Sequence, residues 1–86
     1  MQLKLTWRVS EQNKDFNLLV SEEQKIIETL QVLAEKGLIA GELADSVRYV
    51  RTLRTNNQVN VLLTYKEGKI YSGDIIQIEP EQIREE

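Results

Sequence analysis

The sequence predicts an α+β domain in which one helix lies across one face of a mixed sheet. Three observations predict it: an amphipathic helix over residues 21–37, strict alternation of apolar and polar residues over 2–9, and an element order of strand, strand, helix, strand, strand, helical turn, strand. A hairpin followed by a crossover helix and further strands requires a mixed sheet with the helix packed on one side. The expected strand order is 2-1-5-3-4, with the first and last strands parallel at the centre, because those two carry the strongest apolar alternation.

In the first strand Leu3, Leu5, Trp7 and Val9 point one way, and Lys4, Thr6 and Arg8 the other. Residues 10–14 are polar and read as a turn. Phe16, Leu18 and Val20 then alternate with Asp15, Asn17 and Leu19, so the two strands form an antiparallel hairpin. In the helix, Ile26, Ile27, Leu30, Leu33 and Ala34 share one face, while Lys25, Glu28, Gln31 and Glu35 share the other. Ser21 is the expected N-cap, with Gln24 completing a capping box. Glu22 and Glu23 suit the positive end of the helix dipole and Lys36 the negative end. Gly37 supplies a left-handed C′ residue that lets Leu38 fold back on Leu33.

Residues 38–45 read as a loop whose apolar members, Leu38, Ile39 and Leu43, tuck under the helix end. Residues 47–53 read as a third strand with imperfect alternation. If Val47, Tyr49 and Leu53 face inward, so does Arg51, which then either lies beyond the helix or is re-aimed by a bulge. Asn56 and Asn57 suit a tight turn, and residues 59–63 a fourth strand. Thr64 can cap a single 3-10-like turn through Glu67, closed by Gly68, after which Ile70 drops into the core. Gly73 and Asp74 mark another turn. Ile76 and Ile78 lead the last strand, which Pro80 stops. One domain, 1–79, with an acidic tail, 80–86, is the expected organisation.

Composition narrows the function classes. The 86 residues contain no cysteine and no histidine and carry a net charge of −3. Disulfides and thiolate metal sites are excluded, and the commonest general base is missing. Neither a catalytic role nor a cofactor is expected. The acidic balance argues against a nucleic-acid partner. No apolar run reaches membrane-span length and no signal-peptide core is present, so a cytoplasmic protein without direct membrane insertion is expected. The carboxylates Asp15, Asp45, Glu67 and Asp74 fall at turns, where they suit caps better than paired acid–base work. Trp7 reads as core, Tyr49 as core or half-buried, and Tyr65 and Tyr71 as lying near the surface.

By the same alternation, Lys4, Thr6, Arg8, Asn17, Leu19, Arg48, Val50, Thr52, Arg54, Ile75 and Gln77 face water on the uncovered side of the sheet. Val50 and Ile75 would be neighbours there, an apolar spot rimmed by Lys4, Arg8, Arg48 and Arg54. This is either a docking spot for a protein partner or an ordinary solvated sheet. Glu22, Glu28 and Glu35 would make the outer helix face acidic, with Val32 exposed among them; together the two surfaces polarise the molecule. The third and fourth strands are expected to leave an exposed edge, a common route to a homodimer.

The element order is that of the β-grasp, or ubiquitin-like, fold. Thr64-Tyr-Lys-Glu-Gly-Lys-Ile70 resembles the capped turn and isoleucine before ubiquitin's last strand. Ile70-Tyr-Ser-Gly-Asp-Ile-Ile-Gln-Ile78 resembles the I-x-x-G-D-x-L-x-I ending of the YukD/EsaB group, small ubiquitin-like proteins of bacterial type VII (ESX-type) secretion systems. The resemblance implies a cytoplasmic accessory or regulatory protein that contacts the cytoplasmic part of membrane-anchored secretion machinery without catalysis. The alternative is a ubiquitin-like adaptor of another bacterial assembly. The chain ends Ile83-Arg-Glu-Glu86 and lacks the diglycine that ubiquitin and the sulfur carriers use, so a conjugated modifier is not expected.

Overall fold

The computed structural model describes residues 2–9 and 14–78. The expected turn over 10–14 therefore lies mostly outside the described residues, as do Pro80 and the acidic tail. Along the chain run β1 (Gln2–Val9), β2 (Lys14–Ser21), α1 (Ile26–Glu35), α2 (Gly41–Ser46), β3 (Tyr49–Thr52), β4 (Asn57–Asn60) and β5 (Ile75–Ile78). The sheet order is β2-β1-β5-β3-β4. β1 pairs antiparallel with β2 and parallel with β5, and β3 pairs antiparallel with both β5 and β4.

The core lies between α1 and one face of this sheet. Leu3, Leu5, Trp7 and Val9 of β1, Ile76 and Ile78 of β5, and Val50 of β3 meet Ile26, Leu30 and Leu33 of α1 in one apolar cluster, closed by Ile39, Leu43, Val47, Val61, Tyr65 and Ile70. Burying such side chains contributes about 1.5–3 kcal/mol each, which is what holds a single helix to a five-stranded sheet.

The two ends of α1 are built differently. At the C-terminus Gly37 has φ +75°, its amide donates to Ala34 O (3.0 Å), and the Leu38 amide donates to Leu33 O (2.9 Å). This is the Schellman closure expected from Gly37, although the Leu38 side chain remains 37% exposed. The N-terminus departs from expectation. Ser21 still belongs to β2 and the helix begins at Ile26, with no side-chain cap. The Ile26 and Ile27 amides donate instead to Leu63 O (3.0 Å) and Val61 O (2.9 Å). Carbonyls from a distant segment satisfy the orphan donors, so Ser21 is left with a local bond from the Glu23 amide (3.3 Å), and Glu22 and Glu23 lie outside the helix. The same segment continues the zip: the Tyr65 amide donates to Gln24 O (3.1 Å) and the Lys66 amide to Glu22 O (2.8 Å).

The capping box occurs later in the chain. The Glu67 amide donates to Thr64 Oγ1 and the Thr64 amide to Glu67 Oε1, each at 3.0 Å. The turn it caps closes by an i→i+4 bond from the Gly68 amide to Thr64 O (2.9 Å), so it is an α-type turn and not a 3-10 turn. Ile70 follows into the core, as expected.

The expected loop over 38–45 contains a second helix, α2. Its six residues bury Leu43 and Ala44, and the Val47 amide closes it on Leu43 O (3.1 Å). A helix this short has too few turns to show a period. It also sets the phase of the next strand. Val47 is the C-cap of α2 and not a strand residue, so its burial says nothing about which way β3 faces. β3 starts at Tyr49 and buries Val50 and Thr52.

Candidate interaction surface

Strand register decides which side chains the helix leaves uncovered. Directly paired residues share a face. Trp7 pairs with Phe16 and Ile76, and Ile76 with Thr52, so the other parity points to the open face. One row there runs Asp15, Arg8, Gln77, Arg51, Gln58 across all five strands, and the next runs Asn17, Thr6, Ile75. Lys4 lies beside Leu19 further along, and Tyr49 pairs with Asn60 at the other end.

The geometry around these side chains is local. Arg8 donates to Asp15 through Nε (3.0 Å to Oδ1) and Nη2 (3.3 Å to Oδ2). That hydrogen-bonded contact, with its opposite charge, holds the Arg8 guanidinium above its ordinary range and, against a little burial, Asp15 below the usual carboxylate range. The pair is exposed, and such pairs contribute little to stability. Thr6 Oγ1 donates to Asn17 Oδ1 (3.0 Å), and Arg51 Nη1 to Asn56 Oδ1 (3.1 Å). Lys4 is fixed through its backbone: its amide donates to Ser72 Oγ (3.0 Å) and its carbonyl accepts from the Gly73 amide (2.7 Å).

Of the six residues the sequence suggests for docking, three stand together on this face: Lys4, Arg8 and a half-buried Ile75. Val50 does not. It is fully buried and pairs with Ile78, not with Ile75, because β3 starts two residues after Val47 and runs in the opposite phase. Thr52 turns inward with it, at 3% exposed, and Tyr49, expected inside, is 41% exposed. Arg51 faces outward without a bulge. Arg48 is exposed just before β3. Arg54 serves the fold: its Nε donates to Asp74 Oδ1 (2.5 Å), and its guanidinium lies 5.7 Å from the Tyr71 ring centre. Asp74 is buried and also accepts the Tyr71 amide (2.8 Å), so it locks the Gly73 turn, where φ is +96°.

Tyr49 and Arg51 are therefore the surface residues that alternation alone misplaced or left open. The signal that finds them is the end of α2. Beside Tyr49, a hollow of about 310 Å³ is walled by Ile27, Val47, Val61 and Leu62, and Leu62 is 61% exposed. On the opposite side of the molecule, Glu28, Gln31, Val32 and Glu35 of α1 are exposed as expected, while Glu22 is not part of that helix face. Tyr65, expected near the surface, is fully buried. Its hydroxyl shares a 2.5 Å hydrogen bond with Thr29 Oγ1, and burial raises its pKa. Among the described residues no three carboxylates gather as a metal site, and no helix is long and apolar enough to cross a membrane.

No protein-family model matches the sequence, and no curated protein does. Solved structures do. A designed protein based on ubiquitin superposes with a TM-score of 0.71 at 18% identity, covering 99% of this chain and 95% of the other. The C-terminal ubiquitin-like domain of mouse tubulin-specific chaperone E gives 0.71 at 10% identity over 100% and 93%. The N-terminal ubiquitin-like domain of a third protein gives 0.68 at 7% identity over 99% and 80%. The fold is ubiquitin-like. At these identities the likeness is one of architecture, and the ubiquitin-like sheet of this chain carries its own set of exposed residues.

Proposed function

We propose that this chain is a non-catalytic ubiquitin-like module that acts by protein–protein contact, as a cytoplasmic accessory or regulatory component of a bacterial type VII secretion system. The observation that carries the contact reading is the uncovered sheet face, where Lys4 and Arg8 flank the half-buried Ile75, Arg51 stands on β3 beside Gln77, and Tyr49 is exposed at the far end of that strand. Among the described residues this face carries Lys4, Arg8 and Arg51, with Arg8 bound to Asp15, in a chain whose net charge is −3. Such a face favours a partner with an acidic, partly apolar surface, and its charge orients the encounter. The absence of histidine and cysteine supports a role without catalysis.

The secretion reading rests on the resemblance of residues 70–78 to the YukD/EsaB ending. Each recurring residue of that ending has a task in the fold: Ile70, Ile76 and Ile78 are core, Gly73 makes the turn, and Asp74 locks it. That observation favours a second reading, an adaptor in a different bacterial assembly, since any chain with this turn would keep those residues. Capture from membrane extract of the parent bacterium separates the two. The expected result is recovery of a membrane-anchored type VII subunit by the immobilised chain, its loss in a Lys4→Glu/Arg51→Glu variant, and its retention in Lys36→Glu, across the molecule. Recovery of a subunit of another machine selects the adaptor. Capture indifferent to the double substitution removes this face from the mechanism.

A further inference from the structure

We propose that β2 is an open sheet edge that pairs antiparallel with β2 of a second copy, about a two-fold axis at Leu18, joining two five-stranded sheets into one. Among the described residues the sheet has two edges, β2 and β4. β4 is protected in the usual ways: it has four residues, and Asn57, Gln58 and Asn60 make it polar. β2 has eight residues, pairs with β1 without a bulge along its whole length, and contains neither proline nor glycine. Its charges, Lys14 and Asp15, sit together at one end, and residues 16–20 carry none.

β2 also carries an apolar side chain on its open face, Leu19, among the polar Asp15, Asn17 and Ser21. Leu19 is 60% exposed on the open side, while Phe16 and Leu18 are only partly covered at the margin of the core beyond α1. A neighbouring strand would cover all three residues.

Self-pairing also selects a register. Residues directly opposite must share a face, so the axis passes through a residue and not between two. Centred on Leu18, Phe16 faces Val20, Leu18 faces its own copy, Asn17 faces Leu19, and Lys14 reaches Glu22 at the end of the partner strand. Centred on Asn17, Asp15 would face Leu19 and Lys14 would face Val20, placing charge on apolar surface. Centred on Leu19, Asp15 would approach Glu23 and Phe16 would face Glu22. Only the first register pairs a cation with a carboxylate and sets no charge on an apolar side chain. One strand pair is smaller than the ~1,200 Å² of a standard stable interface, so the dimer is expected to dissociate in the micromolar range.

The chain lacks cysteine, which makes disulfide trapping clean. Leu18→Cys places a thiol opposite its own copy, and a directly opposed strand pair has a Cα separation of ~4.5–5.5 Å, within disulfide reach. Sedimentation from low micromolar to millimolar concentration should show the native chain passing from one copy to two. Leu19→Lys, on an exposed position that folding does not use, should stay monomeric with an unchanged circular dichroism spectrum. Under mild oxidation Leu18→Cys should be trapped as a covalent dimer at least tenfold faster than Asp15→Cys. One mass throughout the concentration series overturns the proposal. So does a dimer that survives Leu19→Lys, or equal trapping at the two cysteine positions. If Leu18→Cys fails to fold, Lys14→Glu with Glu22→Lys replaces it: each alone should raise the dissociation constant and the pair together restore it, and no restoration overturns the register.

Discussion

The two faces of the sheet are made from the same strands, residue by residue in turn, yet they answer to different demands. Toward α1, Leu5, Trp7, Val50, Ile76 and Ile78 are fully or almost fully buried, and each must fill its space. Away from it, Arg8, Gln77 and Arg51 form a half-buried row with local polar contacts, Arg8 to Asp15 and Arg51 to Asn56. Under the function proposed above, that outer row is what a partner meets. Neighbours on one strand thus belong to different parts of the protein's work, and substitutions one residue apart should have unlike effects.

The largest effect should be at Val50. Placing a carboxylate at this fully buried position costs the desolvation of a charge with no partner, and Val50→Asp should lose about 4 kcal/mol or more, enough to unfold a domain of this size. Denaturant titration reads it directly. A folded Val50→Asp with native stability would mean that β3 runs in the other phase, and the assignment of both faces would fall.

A smaller effect is expected inside the core at Tyr65, where the covered face meets a polar group. The hydroxyl bonds Thr29 Oγ1, which also accepts from Gln24 Nε2 (3.4 Å). Tyr65→Phe should cost about 1 kcal/mol at neutral pH, since Thr29 keeps one partner. Burial raises the folded-state pKa of Tyr65 above its unfolded value. The native state therefore holds this proton after the unfolded chain has released it. The contribution is whole below the unfolded value of about 10 and shrinks as pH rises beyond it. Stability of the native chain should fall with a steeper slope above that pH than stability of Tyr65→Phe. Parallel slopes in urea midpoints across the alkaline range would contradict the buried, neutral phenol.

Local signals in the sequence sufficed where the cause of a feature is itself local. The alternation of Leu3, Leu5, Trp7 and Val9, the closure of α1 by Gly37, the Thr64 cap on the turn through Glu67 and the Gly73–Asp74 turn each depend on residues within a few positions of one another, and all are present. The start of α1 depends on Val61 and Leu63, more than thirty residues away, so the good cap at Ser21 competes against a partner that no local window contains. The burial of Tyr65 has the same origin, since the zip of residues 61–66 onto 22–27 carries it under Thr29. The candidate face was half legible for a related reason. Lys4, Arg8 and Ile75 lie on strands with clean alternation, whereas Val50, Tyr49 and Arg51 lie on a strand of four residues whose phase is reset by α2.

The smallest effect on stability, and the sharpest contrast, is expected next to Val50. The Arg51 side chain faces outward and donates to Asn56 Oδ1 at the β3–β4 turn, an exposed contact. Arg51→Glu should shift stability by no more than about 0.5 kcal/mol, the usual range for surface substitutions. Its effect on partner capture should be large, because it reverses charge in the row that also holds Arg8 and Gln77. Lowering ionic strength should strengthen capture by the native chain more than by Arg51→Glu, since steering by exposed charge is screened within about 10 Å at 0.1 M salt. If Arg51→Glu instead destabilises the fold as much as Val50→Asp does, the outward row is part of the protein's packing after all, and the division between a face for folding and a face for contact is wrong.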